Sequence, residues 1–402
     1  MAKPKLALIP AAQGSKFYSV LPSSGVGDFD FTRSGSATRI NSQGLIETVG
    51  NGVSRLNYPM IDGKVVGCPH HILEPTRSNY IVPSNGFSSW SLGNTVTRTA
   101  NYGISPDGTL NSTRADFANG GVIYRSPNRP QGAYVFSVFA KNIEGGGSVI
   151  ALRVDTPSSK VAIFDLSNGT IVSNSSDDAK IEYYGNGWYR CILIQNNDEI
   201  INAVIGEGTT ELDCELYGAM LEQGSYPTSY IPTNGSAVTR SAETANGSGD
   251  ASTFNDSEGV LMVEIANSET TSGSYLGICN GSSNERLIIG NEGGLLRVYT
   301  DVFVSGSVQS ANKDFNKIAV KYNSSNTSIY YNGFLIKSIN VSANLSGINE
   351  LKFTSGGISQ NFYGNTKQIQ YYDSALTDSE LETLTSWVSF SDMANSQLYS
   401  VE

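Results

Sequence analysis

The middle of the chain alternates apolar and polar residues with the period of a β-strand. Every second residue of 134–140 (YVFSVFA) and of 150–154 (IALRV) is apolar, so these side chains would share one face of a sheet. In 185–195 (GNGWYRCILIQ) both faces are apolar, which predicts a central strand. Asn168 and Gly169 separate two apolar runs, as in a two-residue hairpin. A β-sandwich is predicted here.

A later stretch follows the same pattern without repeating the sequence. The predicted strands lie at 259–266, 286–300, 317–322 and 328–339. Asn332 and Gly333 stand between two apolar runs and mark a second two-residue hairpin. We therefore predict a second sandwich over residues 255–390.

One short helix is predicted in residues 375–387 (ALTDSELETLTSW). Thr377 is placed to cap it, and Glu380, three residues later, completes a capping box. Leu376 lies before the cap, where it can pack on Leu381 as a hydrophobic staple. The residues expected on the buried face are Leu381, Leu384 and Val388. Residues 391–402 are predicted to be a tail.

Residues 1–78 show little periodicity and are predicted to be an irregular segment of short strands. Their apolar residues are too few in a run to form an independent core, so we expect them to pack against another surface. These residues are Phe29, Phe31, Ile40, Leu45, Ile46 and Val49. His70 and His71 could suggest a metal site or a proton shuttle, but neighbouring side chains of an extended chain point to opposite faces. Two unrelated loop histidines are the preferred interpretation.

Composition favours an all-β protein of two or three domains. The chain has 402 residues, only 16% of them charged, with 42 Gly and 21 Tyr, a balance that suits strands joined by many turns. The 26 Lys and Arg stand against 37 Asp and Glu, for a net charge of −11. A phosphate backbone would be repelled by this surface, which argues against nucleic acid as a partner.

The cysteines show no spacing that fits a zinc site, and we expect them to be buried free thiols. They are Cys68, Cys191, Cys214 and Cys279. The apolar run near the start is too short for a signal peptide, and no stretch has membrane-spanning length, so folding in a cytoplasm without membrane insertion is expected. Asn-x-Ser/Thr triplets are then interpreted as turn sequence rather than glycosylation sites. Examples begin at Asn111, Asn168, Asn280 and Asn340.

Candidate catalytic chemistry is sparse. Asp213 and Glu215, two residues apart in LDCELYG, are the nearest match to the carboxylate pair of a glycoside hydrolase. Paired carboxylates on a strand are more often solvated, and no GxSxG, HExxH or phosphate-loop motif is present. We predict no catalytic, cofactor-binding or metal-binding residues and therefore no enzyme, while a glycan-cleaving enzyme stays as an alternative.

The segment 220–233 (MLEQGSYPTSYIPT) ends a run of alternating residues and then turns rich in Gly, Pro and Tyr. Pro227 and Pro232 would stop strand pairing, and Tyr226 and Tyr230 could either cover the edge of a sandwich or form a platform for a sugar. A structural seam is the preferred interpretation.

Three stretches carry a resemblance to known proteins. Residues 27–49 (GDFDFTRSGSATRINSQGLIETV) and 72–81 (ILEPTRSNYI) resemble the opening of a family of tailed-phage virion structural proteins, also found in prophages. Residues 217–240 look like the end of the carbohydrate-binding-like sandwich that follows in those proteins. Residues 328–336 (SIYYNGFLI) and 371–384 (YYDSALTDSELETL) look like part of a laminin-G or concanavalin-A-like jelly roll.

The resemblance implies a domain order and a function. Residues 1–78 would be a virion-docking and oligomerisation region, 79–240 a carbohydrate-binding-like sandwich and 255–390 a jelly roll. The protein would be a non-catalytic fibre or decoration protein on the virion surface that contacts a host polysaccharide, with glycan-binding residues unknown. A homotrimer and contacts with other virion proteins are expected. A purely structural decoration protein without a ligand is a second possibility.

Overall fold

The computed structural model describes residues 2–156, 159–198, 200–207, 211–268, 273–300, 309–310, 314–343, 345–356 and 360–396. The chain is almost entirely β-structure, its paired strands are antiparallel, and only short helices interrupt them, which confirms the predicted all-β class. Within the described part of the chain, no helix is long and apolar enough to cross a membrane.

The first block of the chain, which ends with strand β10, contains short strands. They are β1 (Leu6–Gln13), β2 (Lys16–Leu21), β3 (Phe29–Thr32), β4 (Ala37–Ile40), β5 (Ile46–Val49), β6 (Leu56–Asn57), β7 (Met60–Ile61), β8 (Lys64–Val65), β9 (His70–Leu73) and β10 (Arg77–Asn79).

The middle block begins with a 3-10 turn at Phe87–Ser89 and continues with longer strands. They are β11 (Ser91–Ala100), β12 (Thr113–Arg125), β13 (Gly132–Asn142), β14 (Val149–Asp155), β15 (Lys160–Asp165), β16 (Thr170–Asn174), β17 (Asp178–Tyr183), β18 (Trp188–Asp198), β19 (Asn202–Glu207) and β20 (Leu212–Gln223).

The last part of the chain holds the remaining strands and both helices. They are β21 (Val238–Arg240), β22 (Thr244–Asn246), β23 (Gly259–Asn267), β24 (Ser274–Cys279), β25 (Arg286–Glu292), β26 (Leu295–Tyr299), β27 (Gln309–Ser310), β28 (Asn316–Tyr322), β29 (Thr327–Tyr331), β30 (Phe334–Ile339), β31 (Glu350–Lys352), β32 (Gly364–Tyr372), α1 (Asp378–Thr385) and α2 (Phe390–Ser396).

The middle block folds over itself around one apolar core. Its strands run in the order β16-β15-β14-β19-β12-β20-β13-β18-β17, with β11 on β12, and β14 and β15 approach β18 across the core. Alternation explains the packing, since every second side chain of β13 and β14 points inward. The strand β18, predicted to be central, lies between β13 and β17.

The turn at Asn168–Gly169 differs from the prediction. It is a four-residue loop, 166–169, between β15 and β16, and of its residues only Gly169 has a positive φ, of 70°. The Asp165 carboxylate accepts hydrogen bonds from the Ser167 backbone N–H at 2.9 Å and from Asn168 Nδ2 at 3.2 Å. These side-chain bonds stabilise the wider turn in place of a two-residue one.

The second predicted sandwich packs an 11-stranded sheet against the five-stranded sheet β27-β26-β25-β24-β31. We call it the third sandwich, because most of its strands lie in the third block of the chain, residues 255–390. The larger sheet runs β22-β3-β2-β1-β32-β23-β28-β29-β30 and also includes β6 and β9. Here the predicted hairpin is confirmed: Tyr331 pairs with Phe334, and Asn332 and Gly333 between them have φ of 47° and 92°.

The first block packs against another surface, as expected, and that surface belongs to the last part of the same chain. Strand β1 pairs with β32, and β3 pairs with β22. Phe17 and Phe29 lie in the core of the third sandwich, with ring centroids 6.2 and 5.2 Å from that of Phe353. The apolar residues of the first block therefore find their partner surface within the same chain.

The chain enters and leaves the middle sandwich at one place. Strand β10 pairs with β21 just before and after it, so that Asn79 lies opposite Val238. Residues between these two strands form their own core, while residues on either side share the other core. The middle sandwich is thus inserted into a larger, discontinuous β-structure.

The helix prediction is confirmed at its start and wrong at its end. Thr377 caps α1, and Glu380 completes the capping box. The helix ends at Thr385, so Val388 lies beyond it and is 92% exposed rather than buried on its face. Part of the expected tail forms α2, and residues 397–402 lie outside the described residues.

A candidate binding cleft between the three blocks

Two adjoining cavities lie where the three blocks meet. The inner cavity, of about 230 Å³, and the outer one, of about 480 Å³, share several lining residues and form one cleft. The shared residues are Ile40, Asn57, Ile72, Tyr184 and Asn365. Ligand sites are common at such interfaces, because several elements can aim groups at one point. We refer to these two cavities together as the junction cleft.

One wall of the cleft is the outer face of the middle sandwich. The side chains of Phe139, Trp188 and Tyr217 point away from that sandwich's core and would be exposed if it stood alone. Ile46 of the β4–β5 hairpin and Tyr230 of the loop after β20 cover them. An apolar outer face therefore holds the first block against the middle block.

The segment 220–233 is a structural seam, as the sequence indicated. Strand β20 ends at Gln223, and the Tyr230 hydroxyl is 2.6 Å from Ser84 Oγ while its ring stays buried. Tyr226 is also buried and lies under the Arg77 guanidinium, 5.1 Å from the ring centroid. The same loop lines the inner cavity, so the seam also shapes the cleft.

A buried cluster of five charged residues adjoins the cleft, and one of its members, Glu74, lines the inner cavity. Its members are Arg33, Arg55, Glu74, Arg240 and Glu243. Arg55 donates to both carboxylates, and the Ser229 hydroxyl donates to Glu74 at 2.6 Å. Burial opposes ionisation of Glu74, but Arg240 and Arg55 outweigh it and hold the pKa of that carboxyl well below its usual range. The cluster ties the first block to both ends of the inserted sandwich.

Arg190 brings a buried cation to the inner cavity. Its Nη2 donates to Ser137 Oγ at 3.1 Å, its guanidinium lies over the Phe139 ring, and its Nε has no hydrogen-bond partner among the described residues. Burial opposes the charge, yet Tyr184 and Glu182 raise the pKa of Arg190, so it stays charged. A buried N–H group without an acceptor costs free energy, so the Nε of Arg190 would gain by donating to a ligand oxygen.

Two more polar atoms in the cleft lack partners within the described part of the chain. They are Nδ1 of His70 and Oδ1 of Asn365. Burial, with Lys367 and His71 nearby, lowers the pKa of His70 to about 3, so the ring is neutral at pH 7. A neutral imidazole has one donor and one acceptor nitrogen. The cleft thus offers both donors and acceptors that have no partner in the protein.

Tyrosines supply part of the apolar surface of the cleft. Tyr58, Tyr183 and Tyr184 line the outer cavity, and Tyr184 also packs edge-on against Phe139 with centroids 4.9 Å apart. Burial raises the pKa of Tyr184 to about 12, so its hydroxyl stays protonated. Ring faces beside hydrogen-bonding groups suit a ligand that is polar at its edges and apolar on its faces.

The histidines lie on opposite sides of strand β9, as predicted, although they are buried in a strand and not in a loop. His71 stacks on Phe17 with centroids 3.8 Å apart, in the core of the third sandwich, while His70 faces the cleft. Across the described residues, no group of three or more His, Cys, Asp and Glu could hold a metal ion.

Asp213 and Glu215 do not line the junction cleft. Asp213 binds Arg114 through two hydrogen bonds of 2.9 and 2.6 Å. Glu215 accepts from Ser112 at 2.6 Å and pairs with Lys141 at 3.2 Å. Both carboxylates are therefore engaged in ion pairs that join strands of the middle sandwich.

Three of the cysteines are buried free thiols, as expected, and Cys68 is an exposed one. The sequence pointed to His70 and Tyr230 among the residues that line the cleft, but it missed Tyr184, Arg190 and Asn365. A signal for Arg190 was available, because this residue interrupts an apolar face between Trp188 and Ile192.

No protein-family model matches this chain, and no curated protein does. Among solved structures, it resembles in part the CBM40 of Ruminococcus gnavus IT-sialidase bound to α2,3-sialyllactose, at 16% identity over 34% of this chain and 86% of that one, with a TM-score of 0.29. Domain 4 of the GH43 arabinanase AbnA from Geobacillus stearothermophilus matches at 12% identity over 36% and 73%, with a TM-score of 0.31. Trypanosoma rangeli sialidase matches at 11% over 72% and 62%, with a TM-score of 0.29. Likenesses this weak assign no ligand to this chain.

Proposed function

We propose that this protein is a non-catalytic surface protein of a phage virion that contacts glycans of the host surface, and that the junction cleft holds the sugar. The observation that supports the binding role is the chemistry of the cleft. Tyrosine rings stand beside polar atoms of Arg190, His70 and Asn365 that have no partner among the described residues. A sugar ring offers apolar C–H faces for the tyrosines and hydroxyls for the polar atoms.

The virion assignment rests on the resemblance of residues 27–49 and 72–81 to tailed-phage structural proteins. We propose that the protein is made in the host cytoplasm and carried on the particle surface as part of a fibre or a head or tail decoration. Antibody-labelled electron microscopy of intact particles tests this placement. Particles that carry no label would reject it.

A homotrimer is the assembly expected from the resemblance to phage fibres. Several apolar residues of 1–78 that could have contacted a partner subunit, such as Phe29 and Phe31, are buried within the chain itself. The proposed trimer is therefore supported by the resemblance alone. Light scattering on the full chain measures its mass directly.

A glycan array compared with two matched variants tests the binding role. Tyr183→Ala removes an exposed ring from the outer cavity, and Tyr18→Ala removes an exposed ring on β2, which does not line the cleft. We expect the wild type and Tyr18→Ala to bind the same glycans and Tyr183→Ala to bind the glycans of the junction cleft more weakly. Equal binding by all three proteins would remove the cleft as the site.

The same array separates the alternatives if the bound polysaccharides are also assayed for new reducing ends. Binding without cleavage supports the proposal. Cleavage would make the protein a glycan-cleaving enzyme, and absence of both would leave a structural decoration protein without a ligand.

A further inference from the structure

A second candidate site lies on the third sandwich and shares no lining residue with the junction cleft. It is a groove of about 690 Å³ between the tip of the β29–β30 hairpin and the two helices. Three aromatic rings line it: Phe334 is 73% exposed, Phe390 is 69% exposed, and Trp387 is half-buried. Exposed aromatic residues grouped in this way commonly mark a binding surface.

Several contacts fix the two sides of the groove relative to each other. The Gly333 N–H donates to Thr385 Oγ1 at 3.1 Å, and Lys317 Nζ donates to the Ser386 carbonyl oxygen at 3.1 Å. The same Lys317 ammonium lies 4.4 Å from the centroid of the Trp387 ring. The hairpin tip, the end of α1 and the indole are therefore held in place before binding, which lowers the entropy lost on binding at this part of the groove.

The lining of the groove is mixed rather than apolar. The groove is also lined by residues with hydroxyl, amide and carboxylate groups, and among the described lining residues only Glu382 carries a charge. The polar members are Asn332, Ser379, Glu382, Thr383, Ser386 and Ser389. A partner helix would require a continuous apolar surface. Aromatic rings together with hydrogen-bonding groups instead match a pyranose, whose C–H face is apolar and whose edge carries hydroxyls.

We propose that this groove binds a neutral saccharide unit, as a site independent of the junction cleft. The ring of Phe390 packs on a sugar face, and Glu382 accepts hydrogen bonds from its hydroxyls. Two sugar sites on one chain would let one polysaccharide engage both and raise the overall affinity through effective concentration.

Tryptophan fluorescence reports on the groove selectively. The chain has three tryptophans, and Trp90 and Trp188 are each only 2% exposed, so Trp387 is the one that a solute can reach readily. The probes are a panel of neutral hexose and N-acetylhexosamine oligosaccharides, titrated into the full chain with acrylamide as quencher. A bound saccharide is expected to protect Trp387 from quenching.

Four variants identify the site. Phe390→Ala is expected to weaken saccharide affinity, measured by protection of Trp387, about tenfold, because one ring contact is lost. Val388→Ala is the control: it changes an exposed side chain outside the groove lining and is expected to leave the affinity unchanged. Tyr183→Ala, in the junction cleft, is also expected to leave protection unchanged, which separates this site from the proposed function. Trp387→Phe should abolish the signal while retaining binding by calorimetry.

The proposal fails if no saccharide of the panel protects Trp387, or if Phe390→Ala binds as the wild type does. It also fails if protection rises with protein concentration in the absence of sugar, since that would make a second copy of the chain the occupant. Thermal unfolding of each variant confirms that a loss of binding does not come from a loss of fold.

Discussion

Individual buried charged residues contribute strongly to the free energy of unfolding of this protein. Glu243 accepts hydrogen bonds from Arg33 at 2.8 Å and from Arg55 Nε at 2.9 Å, and all three side chains are buried. Glu243→Gln would leave two buried guanidinium groups without their main counter-charge. We expect the free energy of unfolding to fall by about 3–5 kcal/mol, as when one partner of a buried pair is removed.

Urea denaturation of Glu243→Gln beside Glu47→Gln measures this effect. Glu47 pairs with Arg39 at 2.9 Å near the surface, so the same change there is expected to cost about 0–1 kcal/mol. Similar losses in the two variants would show that the buried cluster contributes no more than a surface pair.

The buried histidines make stability depend on pH. Burial lowers the pKa of both His70 and His71 to about 3, below the value of 6.5 for an unperturbed imidazole. Between these values the unfolded chain binds protons that the folded chain does not. The contribution of these two histidines to stability is therefore fully present above about pH 6.5 and is lost as the pH drops towards 3.

His71→Phe is expected to make this dependence shallower, because a phenyl ring can stack on Phe17 in place of the imidazole and cannot take up a proton. The measurement is the urea midpoint at pH 7, 6 and 5 for both proteins. Parallel pH profiles would mean that His71 does not contribute.

The sequence predicted the side-chain directions of some of these residues but not their burial or their charged partners, and the reason is physical. The opposite directions of His70 and His71 follow from strand geometry alone. Their burial, and the meeting of Glu243 with Arg33 and Arg55, depend on segments about 190 to 210 positions apart, which no local pattern encodes. The unpaired Nε of Arg190 is likewise a product of tertiary packing.

At the scale of elements, the helix cap is a local device that the sequence identifies well. In α1 the Thr377 side chain accepts from the Glu380 N–H, and Glu380 in turn accepts from the Thr377 N–H at 3.0 Å. We expect Thr377→Ala to lower stability by about 0.5–2 kcal/mol. Thr383→Ala, in the same helix without a cap role, should be close to neutral, and equal melting of Thr377→Ala and wild type would contradict the assignment.

The hairpin at Asn332–Gly333 depends on a backbone conformation that only glycine adopts without strain. Gly333 has a φ of 92°, and an added Cβ would lie 2.7 Å from Ser386 Oγ. Gly333→Val is therefore expected to lower the melting temperature of the protein, since a β-branched residue resists positive φ. Gly235→Val is the control, because nothing lies within 4 Å of its Cβ position and its φ is not in that region. Melting of Gly333→Val at the parent temperature would reject this account.

The two hairpins show how far a dipeptide determines a turn. Both contain Asn-Gly between apolar runs, yet only 332–333 forms a two-residue turn. In the other, Asp165 precedes the loop and its carboxylate binds Ser167 and Asn168, so a competing side-chain interaction selects a wider turn. The turn type follows from the neighbours as well as from the dipeptide.

For the whole molecule, the all-β class and the presence of two sandwiches follow from the sequence, but the partition of the chain between them does not. Short strands such as β1 and β3 have too little pattern to reveal which sheet they join. Their partners β32 and β22 lie more than 200 residues later, so only tertiary packing makes the connection.

This connection predicts how the chain can be divided. Since Asn79 lies opposite Val238, a short Gly/Ser linker can replace residues 80–237 and leave the outer structure joined. We expect that deletion variant to fold, and the fragment 79–240 to fold separately around its own core. The fragment 241–402 is expected to remain unfolded. It lacks strand β1, which lies beside β32 in the sheet, and it lacks the core residues Phe17 and Phe29. Circular dichroism and cooperative thermal melting distinguish these states, and a cooperative transition in 241–402 alone would show that the third sandwich is complete without the first block.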